Sequence, residues 1–90
     1  MARQLKQIVG RRRLTTETTE DILVIVFAPE PHPVHGVPSC RIQMPALFAE
    51  DRLIAGADDA QAVELAVSFV EQLFDYNGIE LVEVRDLEAG

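Results

Sequence analysis

The chain contains no tryptophan, one tyrosine, four phenylalanines and one cysteine, Cys40. A lone cysteine forms no internal disulfide, so neither a disulfide framework nor a zinc site of four cysteines can hold the fold. Cysteine usage of this kind fits a reducing, cytoplasmic setting. Apolar runs are short. None approaches the roughly 20 residues of a spanning helix, and no apolar stretch follows the basic N-terminus as it would in a secretory signal. Positive charge is scarce as well, with 8 Lys and Arg against 15 Asp and Glu, a net charge of −7 over 90 residues. An acidic body disfavours nucleic acid as a partner, because the phosphate backbone is itself anionic. The few aromatics are not interleaved with basic residues, so no stacking platform for single strands is visible. A phosphate-cradling glycine loop, a nucleophile elbow and an HExxH pattern are all missing.

Apolar residues are plentiful, at 48% of a chain that length assigns to one domain. The most informative segment is Ile22-Leu23-Val24-Ile25-Val26-Phe27-Ala28, apolar throughout and rich in β-branched residues. It reads as a strand. Strand side chains alternate, so Ile22, Val24 and Val26 face one way and Leu23, Ile25 and Phe27 the other. Both faces require cover, and a chain this small supplies little. The expected remedy is a second copy of the chain, a homodimer.

Residues 5–15 read as a first strand with Gly10 at a bulge, and residues 15–21 as a polar hairpin connection. Four prolines between Pro29 and Pro38 mark a stiff loop. Ser39–Met44 alternates, placing Cys40, Ile42 and Met44 on a buried face. A short extended segment over 52–55 and a last strand over 79–84 complete the strands, with a fraying tail over 85–90. One long helix begins at Asp58, with Gln61 placed for a capping box, and stops at Asn77-Gly78. Its polar stripe covers only roughly 100° of the helix circumference. The remaining apolar arc, Leu65, Val67, Phe69 and Tyr76 included, predicts contacts beyond one sheet. The expected fold is α+β, an antiparallel three- or four-stranded sheet with one long helix packed across one face. The exposed sheet face or the helix flank is the expected dimer contact.

Four segments carry a resemblance: Arg13-Leu14-Thr15, Ala28-Pro29-Glu30-Pro31, Cys40-Arg41-Ile42, and Gly56-Ala57-Asp58 followed by Gln61 to Ala66. Over residues 11–76 the chain resembles a family of short, uncharacterised bacterial domains. Their pattern is two strands, a Pro-x-Pro loop, a cysteine-bearing strand and a Gly-x-Asp helix start. It departs from them in lacking an aromatic residue shortly before Cys40. The resemblance implies a small antiparallel sheet crossed by one helix and carries no assigned activity.

Two sets of side chains are candidates for chemistry. His32 and His35 sit on the proline-stiffened loop, which presents side chains at small entropic cost on binding. Arg11 and Arg13 lie in the basic first segment, where all five cations up to Leu14 stand without an acid. They either contact a phosphate or an acidic partner, or pair with the chain's own carboxylates. The sequence therefore indicates a non-enzymatic accessory protein that acts through protein–protein contacts, as a homodimer or with another protein. It implies no cofactor, no metal, no catalytic residue and no membrane. The alternative is a small metal-binding or thiol-dependent enzyme using His32, His35 and Cys40, the residue types that bind zinc or form a Cys–His pair.

Overall fold

A computed structural model describes residues 3–87. The elements are β1 (Gln4–Arg13), β2 (Thr19–Phe27), β3 (Glu30–Pro31), β4 (Pro38–Gln43), β5 (Arg52–Ala55), α1 (Asp59–Tyr76) and β6 (Glu80–Asp86). All strand pairs are antiparallel. The sheet runs β3-β4-β2-β1-β6, with β5 on the other side of β4. The α+β class and the single helix match expectation, but the sheet has six strands rather than three or four. The two strands beyond that count, β3 and β5, are short, and β5 falls on the 52–55 segment that the sequence marks as extended. β3 is a two-residue continuation of β2, pairing Glu30 with Ser39 and Pro31 with Pro38. Pro31 is tolerated there because so brief a strand asks for few backbone donors. β5 forms because the Met44 carbonyl accepts from the Leu47 and Phe48 N–H groups and turns the chain back.

β1 and β2 form a long hairpin. Its turn is closed by Leu14 N–H donating to the Thr18 carbonyl and by the Thr15 hydroxyl, which accepts from the backbone of Glu17 and Thr18. Register places Ile8 opposite Val24 and Gly10 opposite Ile22. These residues line the face that meets α1, with Val26, Cys40 and Ile42. The bulge expected near Gly10 occurs against β6, where the register shifts between Val9 and Gly10. Gly10 also serves a packing purpose. A Cβ there would lie 2.5 Å from Ile79 Cγ2 and 2.6 Å from the Phe74 ring. Its bare Cα is what lets the end of the helix settle on β1.

Asp58 caps α1 by accepting from the Gln61 N–H at 2.8 Å, and the Gln61 side chain accepts from the Ala57 N–H at 2.6 Å. The reciprocal bond thus reaches one residue before the cap. At the other end Asn77 N–H and side-chain Nδ2 both donate to the Leu73 carbonyl. Gly78 takes φ +66, and Ile79 N–H returns to the Phe74 carbonyl. The fully buried stripe of α1 is Ala62, Ala66, Val70 and Phe74, one residue per turn, and on its flank Phe69 meets Phe48 of the loop before β5. Val63, Phe69 and Leu73 are only partly buried, and Tyr76 is 90% exposed.

β6 extends to Asp86, so Arg85 and Asp86 belong to the sheet rather than to a fraying tail, while residues 88–90 lie outside those described. Among the described residues no helix is long and apolar enough to cross a membrane.

Candidate functional site

The proline-rich segment folds into a tight turn. His32 N–H donates to the Val37 carbonyl at 2.7 Å, and Gly36 N–H to the His32 carbonyl at 2.9 Å. Gly36 adopts φ +72, a left-handed conformation that glycine takes without strain. The turn stacks the two histidine rings, with centroids 4.8 Å apart and planes 28° from parallel. His32 Nδ1 accepts from the N–H groups of Val34 and His35, at 3.1 and 3.3 Å. That nitrogen is consequently committed to the turn. His35 is exposed at its tip.

Cys40 does not join them. It lies on the helix-facing side of β4 and is fully buried among core residues. Among the described residues no three His, Cys, Asp or Glu side chains are grouped to hold a metal. Burial, and secondarily the Asp59 carboxylate, push the thiol from its ordinary 9.0 to about 11. A buried thiol of this kind is a poor nucleophile. Cys40 therefore resists alkylation in the native protein and reacts on unfolding, which a thiol-labelling time course with and without urea measures. The same shift sets a pH dependence. Below pH 9.0 native and unfolded chains both keep the proton, and above it the unfolded chain releases it first. Stability falls by about 2 kcal/mol more in the native sequence than in Cys40→Ala as pH rises from about 9 to about 11. Urea titrations at a series of pH values give this difference.

Arg11 and Arg13 share the helix-free face of the sheet, but their surroundings differ. Arg11 Nε donates to Asp21 at 3.0 Å, directly across the hairpin. Arg12 pairs likewise with Glu20 at 2.9 Å. Two of the five cations of the first segment, Arg11 and Arg12, are thus paired with acids of β2, and Lys6 with Asp86 of β6. Arg13 stands opposite Thr19 and is exposed.

The sequence did not single out a cleft of about 300 Å³ on this same face, walled by Pro31, Pro33 and Leu53 and floored by Ser39 and Arg41. Arg41 lies over Phe27, its guanidinium carbon 4.3 Å from the ring centroid. Its Nε is 3.3 Å from Asp51 Oδ2, close enough for charge attraction but not aligned for a hydrogen bond. Position Arg41 reads from the sequence simply as the polar side of an alternating strand. Only the fold shows that it roofs an aromatic.

The second face of β2 is accordingly covered in part. Phe27 is buried, Ile25 is partly buried, and Leu23 is 49% exposed. Further exposed apolar residues occur at the far side of the sheet, where β6 is exposed at all seven positions. Leu81, Val82 and Val84 there are between 42% and 46% exposed. No family model, curated protein or solved structure matches the chain.

Proposed function

We propose that this chain is a non-enzymatic binding module that works through protein–protein contacts and that it self-associates as a homodimer. The observation that carries the reading is β6, a seven-residue strand at the end of the sheet, bulged at Val82, with three half-exposed apolar residues. Strands of this length at a sheet edge present unpaired backbone groups that favour another strand. The half-exposed Leu23 on β2 adds apolar surface within the same sheet.

The charged side chains are consistent with this assignment. Lys6, Arg11, Arg12, Arg41 and Arg85 each lie within 3.3 Å of a carboxylate of the same chain. Most of the scarce positive charge thus serves the sheet itself, which leaves an acidic exterior suited to basic or self-complementary protein surfaces.

Sedimentation equilibrium over a wide concentration range tests the proposal. The expected result is a reversible dimer of 10.0 kDa chains. A monomer persisting at the highest soluble concentration overturns it.

A further inference from the structure

β6 is a less protected edge than its counterpart. The strand β5 at the opposite end has four residues, and its Arg52 folds over the Phe48 ring at 4.6 Å. β6 has seven residues and contains neither proline nor lysine, two residues that commonly protect sheet edges. Among the described residues no strand lies on its outer side. Lys6 Nζ contacts Asp86 at 2.6 Å and holds the end of β6 against β1.

The backbone direction of β6 follows from one bond. Leu87 N–H donates inward to the Leu5 carbonyl on β1. Backbone groups alternate sides along an antiparallel strand. Arg85 and Glu83 hence point theirs inward, whereas Asp86 and Val84 point theirs outward. Side-chain faces are fixed by register. Glu83 and Arg85 lie opposite Val9 and Gln7 on the helix-free face, and Val84 lies opposite Ile8 on the helix face.

We infer that β6 pairs antiparallel with β6 of a second copy about a two-fold axis at Val84, joining two sheets into one. This rests on the homodimer reading above and names its surface. Two-fold symmetry within a continuous sheet requires one residue to face its own copy, and charge decides which. Centring on Glu83 opposes two glutamates. Centring on Arg85 opposes two arginines. Centring on Leu81 or Val82 brings no opposite charges together.

Centring on Val84 places Glu83 of each copy opposite Arg85 of the other, with no like charges opposed among the described residues. It also sets Val84 against Val84 on the helix face. The outward Val84 N–H of each copy then donates to the Val84 carbonyl of the other. Cross-strand pairs of opposite charge stabilise a sheet, and like charges in the same place destabilise it. The match counts for more in a chain of net charge −7, where two copies otherwise repel.

The test is a charge exchange read by sedimentation. Arg85→Glu converts both intermolecular pairs to acid against acid, and the dimer dissociation constant rises about tenfold or more. Glu83→Arg combined with Arg85→Glu restores the opposition with signs reversed and returns the dimer to near its original affinity. Val84→Pro removes the outward N–H at the axis and abolishes the dimer, with circular dichroism checking that each variant is folded. The two charge variants sit at exposed positions, so they remain informative if the proline variant does not fold. A dimer unaffected by Arg85→Glu, or a double variant no better than the single, overturns the β6 pairing while the homodimer stands. A monomeric native protein overturns both.

Discussion

Phe74→Ala lowers the unfolding free energy by about 4 kcal/mol, the largest loss expected from a single side chain in this protein. Phe74 is the largest fully buried residue and closes the stripe that α1 lays on the sheet. Its ring sits over Gly10, at the place where a β-carbon would otherwise stand. The backbone glycine and the helix end hold the two sides of the site apart, so the cavity cannot collapse easily. A domain of this length has a total stability of roughly 5–13 kcal/mol, so the variant retains only part of it. Urea unfolding shows the change as a lower midpoint at nearly constant slope. The pairing with Gly10 makes a second outcome measurable. Gly10→Ala costs about 2 kcal/mol alone by overpacking, and less in the Phe74→Ala background, where the ring clash is gone. The Ile79 clash persists in both, so the rescue is partial.

Gly56→Ala is the second large effect. A β-carbon at Gly56 would meet the Ala62 backbone nitrogen at 2.4 Å and its Cα at 2.8 Å. These are main-chain atoms of the first helical turn, and no rotamer change relieves the contact. Either the turn shifts, which disturbs the Asp58 cap, or the approach shifts, which breaks the Gly56 N–H bond to the Pro38 carbonyl. The expected loss is about 3 kcal/mol. Gly78→Ala is the instructive contrast. Its φ of +66 strains an alanine, yet nothing lies within 4 Å of the added carbon. That substitution costs about 1 kcal/mol. Thermal melts of the two variants separate steric exclusion from backbone preference.

The elements that the sequence made legible are those with a strong local signal. The helix is bounded by a cap and a left-handed glycine, and both ends are found where Asp58 and Asn77-Gly78 imply. The alternation of β4 places Cys40 and Ile42 in the core as expected. What was not legible depends on partners distant in sequence. β3 has two residues, too few to show any period, and exists only because Ser39 and Pro38 come alongside. The wide apolar arc of α1 does not state how much of a helix one sheet can cover: the sheet buries one residue per turn, and Phe48 of the loop meets Phe69 beside it. Leu65 and Tyr76 stay exposed on its outer sides.

The candidate site divides in the same way. His32 and His35 were expected together on a stiff loop and are stacked there. Arg11 was open between a ligand and an internal acid, and Asp21 now faces it. The role of Arg41 over Phe27 could not be read from spacing, because the two residues meet only when β2 and β4 lie side by side.

The neighbouring positions of β1 and β6 have a consequence for synthesis. β2 leaves the ribosome directly after β1 and can zip onto it at once, whereas Asp86 must travel 80 residues of sequence before it meets Lys6. Until then β1 has an empty flank, and Gly10 has no Phe74 or Ile79 above it. The nascent chain is therefore most vulnerable to wrong pairings on that flank during elongation. A chaperone acting on this protein has its clearest target there, and the hazard ends when the last strand emerges.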